Sequence, residues 1–279
     1  MTVETRAGFP VFSQRFGQGA EPAMLLHCGM THSGVWSRVA EPLGDRLTMT
    51  AFDLPGHGQS GDWDHRKPFH DQATEIAQTF LTDGMHLIGH SAGATIALRL
   101  ALENPGMVRS LVLIEPVLFA AARAVAPDAL EDHAQHAAPM EQALTEGRYA
   151  DAAPLFFVTW GGGAQWDDLP PPRQADFVKR VPTVVGTKDH FYHDVAGLMG
   201  ERRLEALDCP VLLIRGSASP AIIAAVHDGL EARLPNATQQ VVDGAQHLLP
   251  LTHAKLVSGL ISDHLNAVSL ARADTGLFA

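Results

Sequence analysis

Cysteine is scarce in this chain, long apolar runs are missing, and positive charge is nowhere concentrated. The two cysteines, Cys28 and Cys209, have neither metal-ligand spacing nor the density of a disulfide scaffold, so both are expected to be reduced. No apolar run is long enough to cross a bilayer, and residues 1–6 lack the apolar core of a signal peptide. Together these predict a cytoplasmic protein with no membrane partner. A formal charge of −11 leaves no basic surface for nucleic acid, and the one compact basic cluster, His65-Arg66-Lys67, is too small to supply it. The chain has no His-Glu-x-x-His zinc motif, no phosphate loop ending in Gly-Lys-Ser/Thr and no dinucleotide glycine fingerprint. The expectation is therefore a protein that needs no metal and no organic cofactor. No internal repeat is visible, and oligomeric state is not legible.

What is present is a long, apolar, globular sequence: 279 residues, 46% hydrophobic and 18% charged, enough for one domain carrying an insertion. Apolar runs at 24–27, 47–52, 85–88, 111–114, 211–214 and 239–242 alternate with helical stretches. Such alternation predicts an α/β fold, a mainly parallel sheet covered by helices on both faces. Residues 3–6 and 11–16, separated by Gly8 and Pro10, predict an antiparallel pair at one edge. Between residues 117 and 204 no run reads as a sheet strand. Alanine-rich helical pieces there carry Phe156, Phe157, Trp160, a Gly161-Gly162-Gly163 run, Trp166 and Pro170-Pro171-Pro172. The expected division is a core of residues 1–116 and 205–279 with a small helical cap, residues 117–204, inserted between them. Residues 250–265 have the spacing of a terminal helix, and residues 269–279 read as a loose tail.

One short segment carries chemistry. Gly89-His90-Ser91-Ala92-Gly93 reads Gly-x-Ser-x-Gly where the apolar run 85–88 gives way to an alanine- and leucine-rich helix. The glycines permit a sharp turn, and Ser91 would project its hydroxyl with a helix N-terminus behind it. A serine is a weak nucleophile at neutral pH, so it needs a base and donors for an oxyanion. Among fifteen histidines, His247 is the best placed, in a loop after the last predicted strand.

With these residues in view, the chain resembles the α/β-hydrolase superfamily over nearly its whole length. Leu26-His27-Cys28-Gly29 with Trp36 resembles the family's His-Gly loop, and residues 52–60 resemble its Asp-x-x-Gly-x-Gly-x-Ser segment, with Asp53, Gly56, Gly58 and Ser60 in place. The resemblance implies an oxyanion hole built from the backbone amides of Gly29 and Ala92, with Cys28 standing where the family usually has glycine. It assigns loop-shaping roles to His57 and His90.

The family most often carries its acid just after the strand that is 211–214 here, but the chain has Ser219 at that place. A minority carries it one strand earlier, where this chain has Glu115, followed by Pro116. The order Ser91, Glu115, His247 is then preserved. Asp243 is the reserve. The implied activity is hydrolysis of a small, apolar ester, thioester or lactone through an acyl-serine, with Met30, Phe156, Phe157, Trp160 and Trp166 as pocket residues. A carbon–carbon bond hydrolase of the same fold and a non-catalytic ligand receptor remain as alternatives. A haloalkane dehalogenase is disfavoured because position 91 is serine and not a carboxylate.

Overall fold

The computed structural model describes residues 2–276, and its centre is one eight-stranded sheet. The strands are β1 (Thr2–Arg6), β2 (Phe9–Phe16), β3 (Glu21–Leu26), β4 (Leu47–Phe52), β5 (Met85–His90), β6 (Val108–Ile114), β7 (Val211–Gly216) and β8 (Ala237–Val242). They lie in the order β1-β2-β4-β3-β5-β6-β7-β8. β1 and β2 form the expected antiparallel edge, β2 meets β4 antiparallel, and every pairing from β4 to β8 is parallel.

The apolar runs form strands because both faces of the sheet are covered. Side chains alternate across a strand, so a doubly covered strand needs apolar residues at every position. Met24, Leu26, Leu87, Leu111, Leu113 and Leu213 turn to one face, where they pack on the helices Phe69–Gln78, Ala92–Glu103 and Ala221–Glu231. Ala23, Leu25, Ile88, Val112, Ile114, Leu212 and Ile214 turn to the other, against Val39, Ala40, Val257, Ile261 and Leu265. β5 is buried along its whole length, and the residue after it begins the site.

Between β6 and β7 the described chain contains helices and turns and no strand. The main pieces are Phe119–Ala124, Pro127–Thr145, Tyr149–Trp160, Pro171–Arg180 and Lys188–Phe191. They carry a small core of their own around Ala143, Leu144, Ala152, Ala153 and Val181. The terminal helix corrects the expected tail: it runs Ala254–Gly276, with 277–279 outside the described residues. Its middle is held by Arg46, whose guanidinium donates to the Leu265 carbonyl, Asn266 Oδ1 and Ser269 Oγ. No helix among the described residues is long and apolar enough to cross a membrane.

Candidate active site

Parallel strands that end together bring distant residues to one edge, and here four segments meet at the carboxyl ends of β5 to β8. Ser91 follows β5 directly, and its amide donates to the Ile114 carbonyl at the end of β6. Glu115 follows β6, and its amide donates to the Ile214 carbonyl of β7. His247 comes from the loop after β8.

Ser91 sits at φ 56°, ψ −119°, outside the conformations that L-residues ordinarily favour. That backbone lifts its side chain out of the strand-to-helix turn. Packing on the turn explains the two glycines: a Cβ on Gly89 would collide with the Gly93 carbonyl oxygen, and one on Gly93 with the Leu26 carbonyl oxygen. Ala92 opens the helix, so its amide is one of the donors that an α-helix leaves without an internal partner. Neither it nor the Gly29 amide donates to any group among the described residues, and both residues border the same cavity as Ser91 and His247.

Ser91 Oγ lies 3.0 Å from His247 Nε2, and His247 Nδ1 lies 2.9 Å from Glu115 Oε2. A carboxylate only accepts, so Nδ1 carries a proton and Nε2 is left as the acceptor that faces the serine hydroxyl. Glu115 is fully buried. Its Oε1 accepts from the Gly216 amide and from Ser219 Oγ, each at 2.7 Å. Burial alone would raise the carboxyl pKa, but the bonds from His247, Gly216 and Ser219 outweigh it and hold the pKa below the usual range. Ser219, at the place where an acid was sought, thus donates to the acid one strand away. Asp243 is exposed and accepts from Ser217 Oγ instead.

The neighbouring histidines hold loops. His57 Nδ1 donates to the Pro55 carbonyl and its Nε2 accepts from the Met30 amide, at 2.8 and 3.1 Å. His27 Nε2 accepts from the Leu54 amide, and its Nδ1 donates to the Cys28 carbonyl. His90 Nε2 donates to the carbonyl of His247 itself at 2.8 Å, which pins the backbone of that loop. Burial, first among the causes, lowers each of these three pKa values to about 3, so all three are neutral. Asp53 ties the two family-like segments together by accepting from the Ser33 and Gln59 amides. Cys28 is buried and its thiol pKa is pushed up, chiefly by burial, to about 11, which makes it inert.

Above these groups lies a cavity of about 580 Å³ with a mainly apolar wall. Met30, Phe156, Phe157 and Trp160 line it, and the Trp160 ring meets the His247 ring edge-on at 4.6 Å. Trp166 is the exception among the expected pocket residues. It stands behind the wall, perpendicular to Phe177 and tilted at 66° against Phe157, with its carbonyl accepting from Gln174. Among the described residues one trio, His70, Asp71 and His190, has the proximity of metal ligands. A cation already occupies that role: Arg99 donates to both His70 Nδ1 and Asp71 Oδ1.

The alpha/beta hydrolase family model matches residues 23–259. The chain belongs to the alpha/beta hydrolase family. This alpha/beta hydrolase is 29% identical, over 92% of its length and 67% of the relative's, to the dihydrolipoyllysine-residue acetyltransferase component of an acetoin cleaving system from Cupriavidus necator. It is 27% identical to a pimeloyl-[acyl-carrier protein] methyl ester esterase from Methylococcus capsulatus, covering 91% of this chain and 98% of that one. A haloalkane dehalogenase loop variant from Bradyrhizobium elkanii shares the fold, with a TM-score of 0.75 at 18% identity over 98% of both chains.

Proposed function

We propose that this alpha/beta hydrolase cleaves a small, mainly apolar carboxylic ester, thioester or lactone through an acyl-serine intermediate. The observation that carries the reading is the continuous chain from Ser91 Oγ through His247 to Glu115, at 3.0 and 2.9 Å, beneath an apolar cavity. The esterase relative from Methylococcus capsulatus supports the ester class.

In this reading Ser91 Oγ forms a bond to the acyl carbon while His247 Nε2 takes the hydroxyl proton. Negative charge gathers on the former carbonyl oxygen, and the Gly29 and Ala92 amides donate to it. The charged imidazolium is stabilised by the Glu115 carboxylate. Collapse breaks the bond to the leaving alcohol or thiol, which departs with the proton from His247. Water then repeats the sequence, with His247 as base, to release the acid and restore Ser91. Every step uses groups of the chain and water.

A panel of p-nitrophenyl esters of graded chain length, run with Ser91→Ala as control, tests the proposal. Turnover by the native chain, lost in Ser91→Ala together with fluorophosphonate labelling, is the expected result. Absence of both in the native chain rejects it and favours a receptor on this fold.

A further inference from the structure

Most polar side chains on the cavity wall are satisfied within the protein. Thr31, Thr145, Thr183 and Thr187 each donate to a backbone carbonyl, and Lys188 is paired with Glu141. Two half-buried groups stand apart. The ring nitrogens of His133 and the hydroxyl of Tyr192 have no hydrogen-bond partner among the described residues, although both residues line the cavity. Their polar atoms are open to the cavity and not sealed in the core, so they are free to bond to water or to a ligand that displaces it.

The two residues belong to one aromatic cluster. The His133 ring is parallel to that of Tyr192 within 8° at 6.0 Å, tilted against Phe119 at 4.6 Å, and perpendicular to Trp160 at 5.7 Å. Trp160 in turn touches His247. One indole thus separates the reacting end of the cavity from the His133 and Tyr192 pair. The pair is held in place from behind: His133 lies on the helix Pro127–Thr145, and the Tyr192 carbonyl accepts from Arg123.

We infer that His133 and Tyr192 form a recognition site for an uncharged oxygen-bearing group, a hydroxyl or a carbonyl, carried by the substrate beyond its scissile bond. The inference rests on the ester-hydrolase reading above and narrows its substrate class. Chemistry of the site selects the uncharged form. Burial, together with His136, lowers the His133 pKa to about 4, so the ring is neutral and offers one donor and one acceptor. Burial and the nearby Glu141 raise that of Tyr192, so its hydroxyl keeps its proton. A carboxylate would gain no ion pair from the neutral His133 and Tyr192, and Lys188 on the same wall is already paired with Glu141. Phe119 and Trp160 would flank the bound group and exclude water from it.

The test compares esters of matched length that end in methyl, hydroxyl, methyl ketone or carboxylate, over a range of chain lengths. At the length that spans the site, the hydroxyl- or ketone-ended ester should exceed the methyl-ended one in kcat/KM by about tenfold, the scale of one or two good hydrogen bonds. In Tyr192→Phe, which deletes one oxygen, and in His133→Phe that ratio should fall to within about threefold. No preference at any length, a preference for the carboxylate, or a preference that survives Tyr192→Phe overturns the inference. Binding of the same esters to Ser91→Ala, followed by calorimetry, reads the preference without chemistry. The same ranking in Kd supports the site even if the native chain turns over no ester, and no ranking there rejects it, so the two proposals fail separately.

Discussion

Replacing Glu115 by glutamine changes one atom and reverses the logic of the site. The carboxylate accepts three hydrogen bonds, from His247 Nδ1, the Gly216 amide and Ser219 Oγ. A glutamine carbonyl oxygen can keep the last two, because both come from donors to the same oxygen. Its amide group then faces Nδ1, and two donors cannot pair. The imidazole answers by moving its proton to Nε2, which leaves no base for the Ser91 hydroxyl. Loss of an orienting carboxylate in a triad lowers turnover about 10⁴-fold, or about 5 kcal/mol of transition-state stabilisation. Steady-state kinetics on the best p-nitrophenyl ester measures this, with circular dichroism as a check that the fold survives. The loss should lie in kcat, with KM little changed. A Glu115→Gln variant within about tenfold of native kcat would refute the assignment.

Three further outcomes follow from the same contacts. Ser219→Ala removes one of the three donors to Glu115 and should lower kcat about tenfold, about 1.4 kcal/mol, without moving KM. Asp243→Asn touches only an exposed bond with Ser217, so kcat should stay within about twofold in the same assay, and a large loss would return Asp243 to the triad. Acid should destabilise the fold through His27, His57 and His90, whose pKa values lie near 3 when folded against 6.5 when unfolded. Above pH 6.5 both states are neutral. Below it the unfolded chain takes up protons that the folded one does not, until about pH 3. At pH 5.5 the loss is about 1.4 kcal/mol per histidine, or about 4 kcal/mol for the three. Urea midpoints equal at pH 7.5 and 5.5 would contradict that burial.

The parts of the fold that were legible in the sequence are those where burial leaves a one-dimensional trace. β3, β5, β6 and β7 read as apolar runs because neither face of the sheet meets water there. Gly89 and Gly93 are legible because no other residue fits between the turn and the carbonyls that crowd it. Glu115 can be found because the family resemblance points to the end of the strand after the nucleophile helix, where the chain has an acid followed by Pro116.

What the sequence hid depends on contacts between segments far apart in the chain. Ser219 looked like a vacancy in the family pattern, since nothing local reveals that its hydroxyl reaches Glu115, 104 residues away. His90 donates to a carbonyl 157 residues away, and only the folded loop after β8 supplies that partner. Trp166 and Trp160 are equally aromatic and six positions apart, yet one packs behind the wall and the other against His247. The continued terminal helix was hidden for the same reason, because Arg46, which holds its middle, lies at the other end of the chain.

The central claim is that Ser91 becomes acylated. It is tested most directly by mixing the native chain with a short-chain p-nitrophenyl ester, quenching in acid within the first turnover, and mapping peptides by mass spectrometry. The account predicts one acyl group on the peptide that contains Ser91, with none in Ser91→Ala and far slower formation in Glu115→Gln. Release of p-nitrophenol without any acyl group on Ser91, or with the acyl group on another residue, would contradict it.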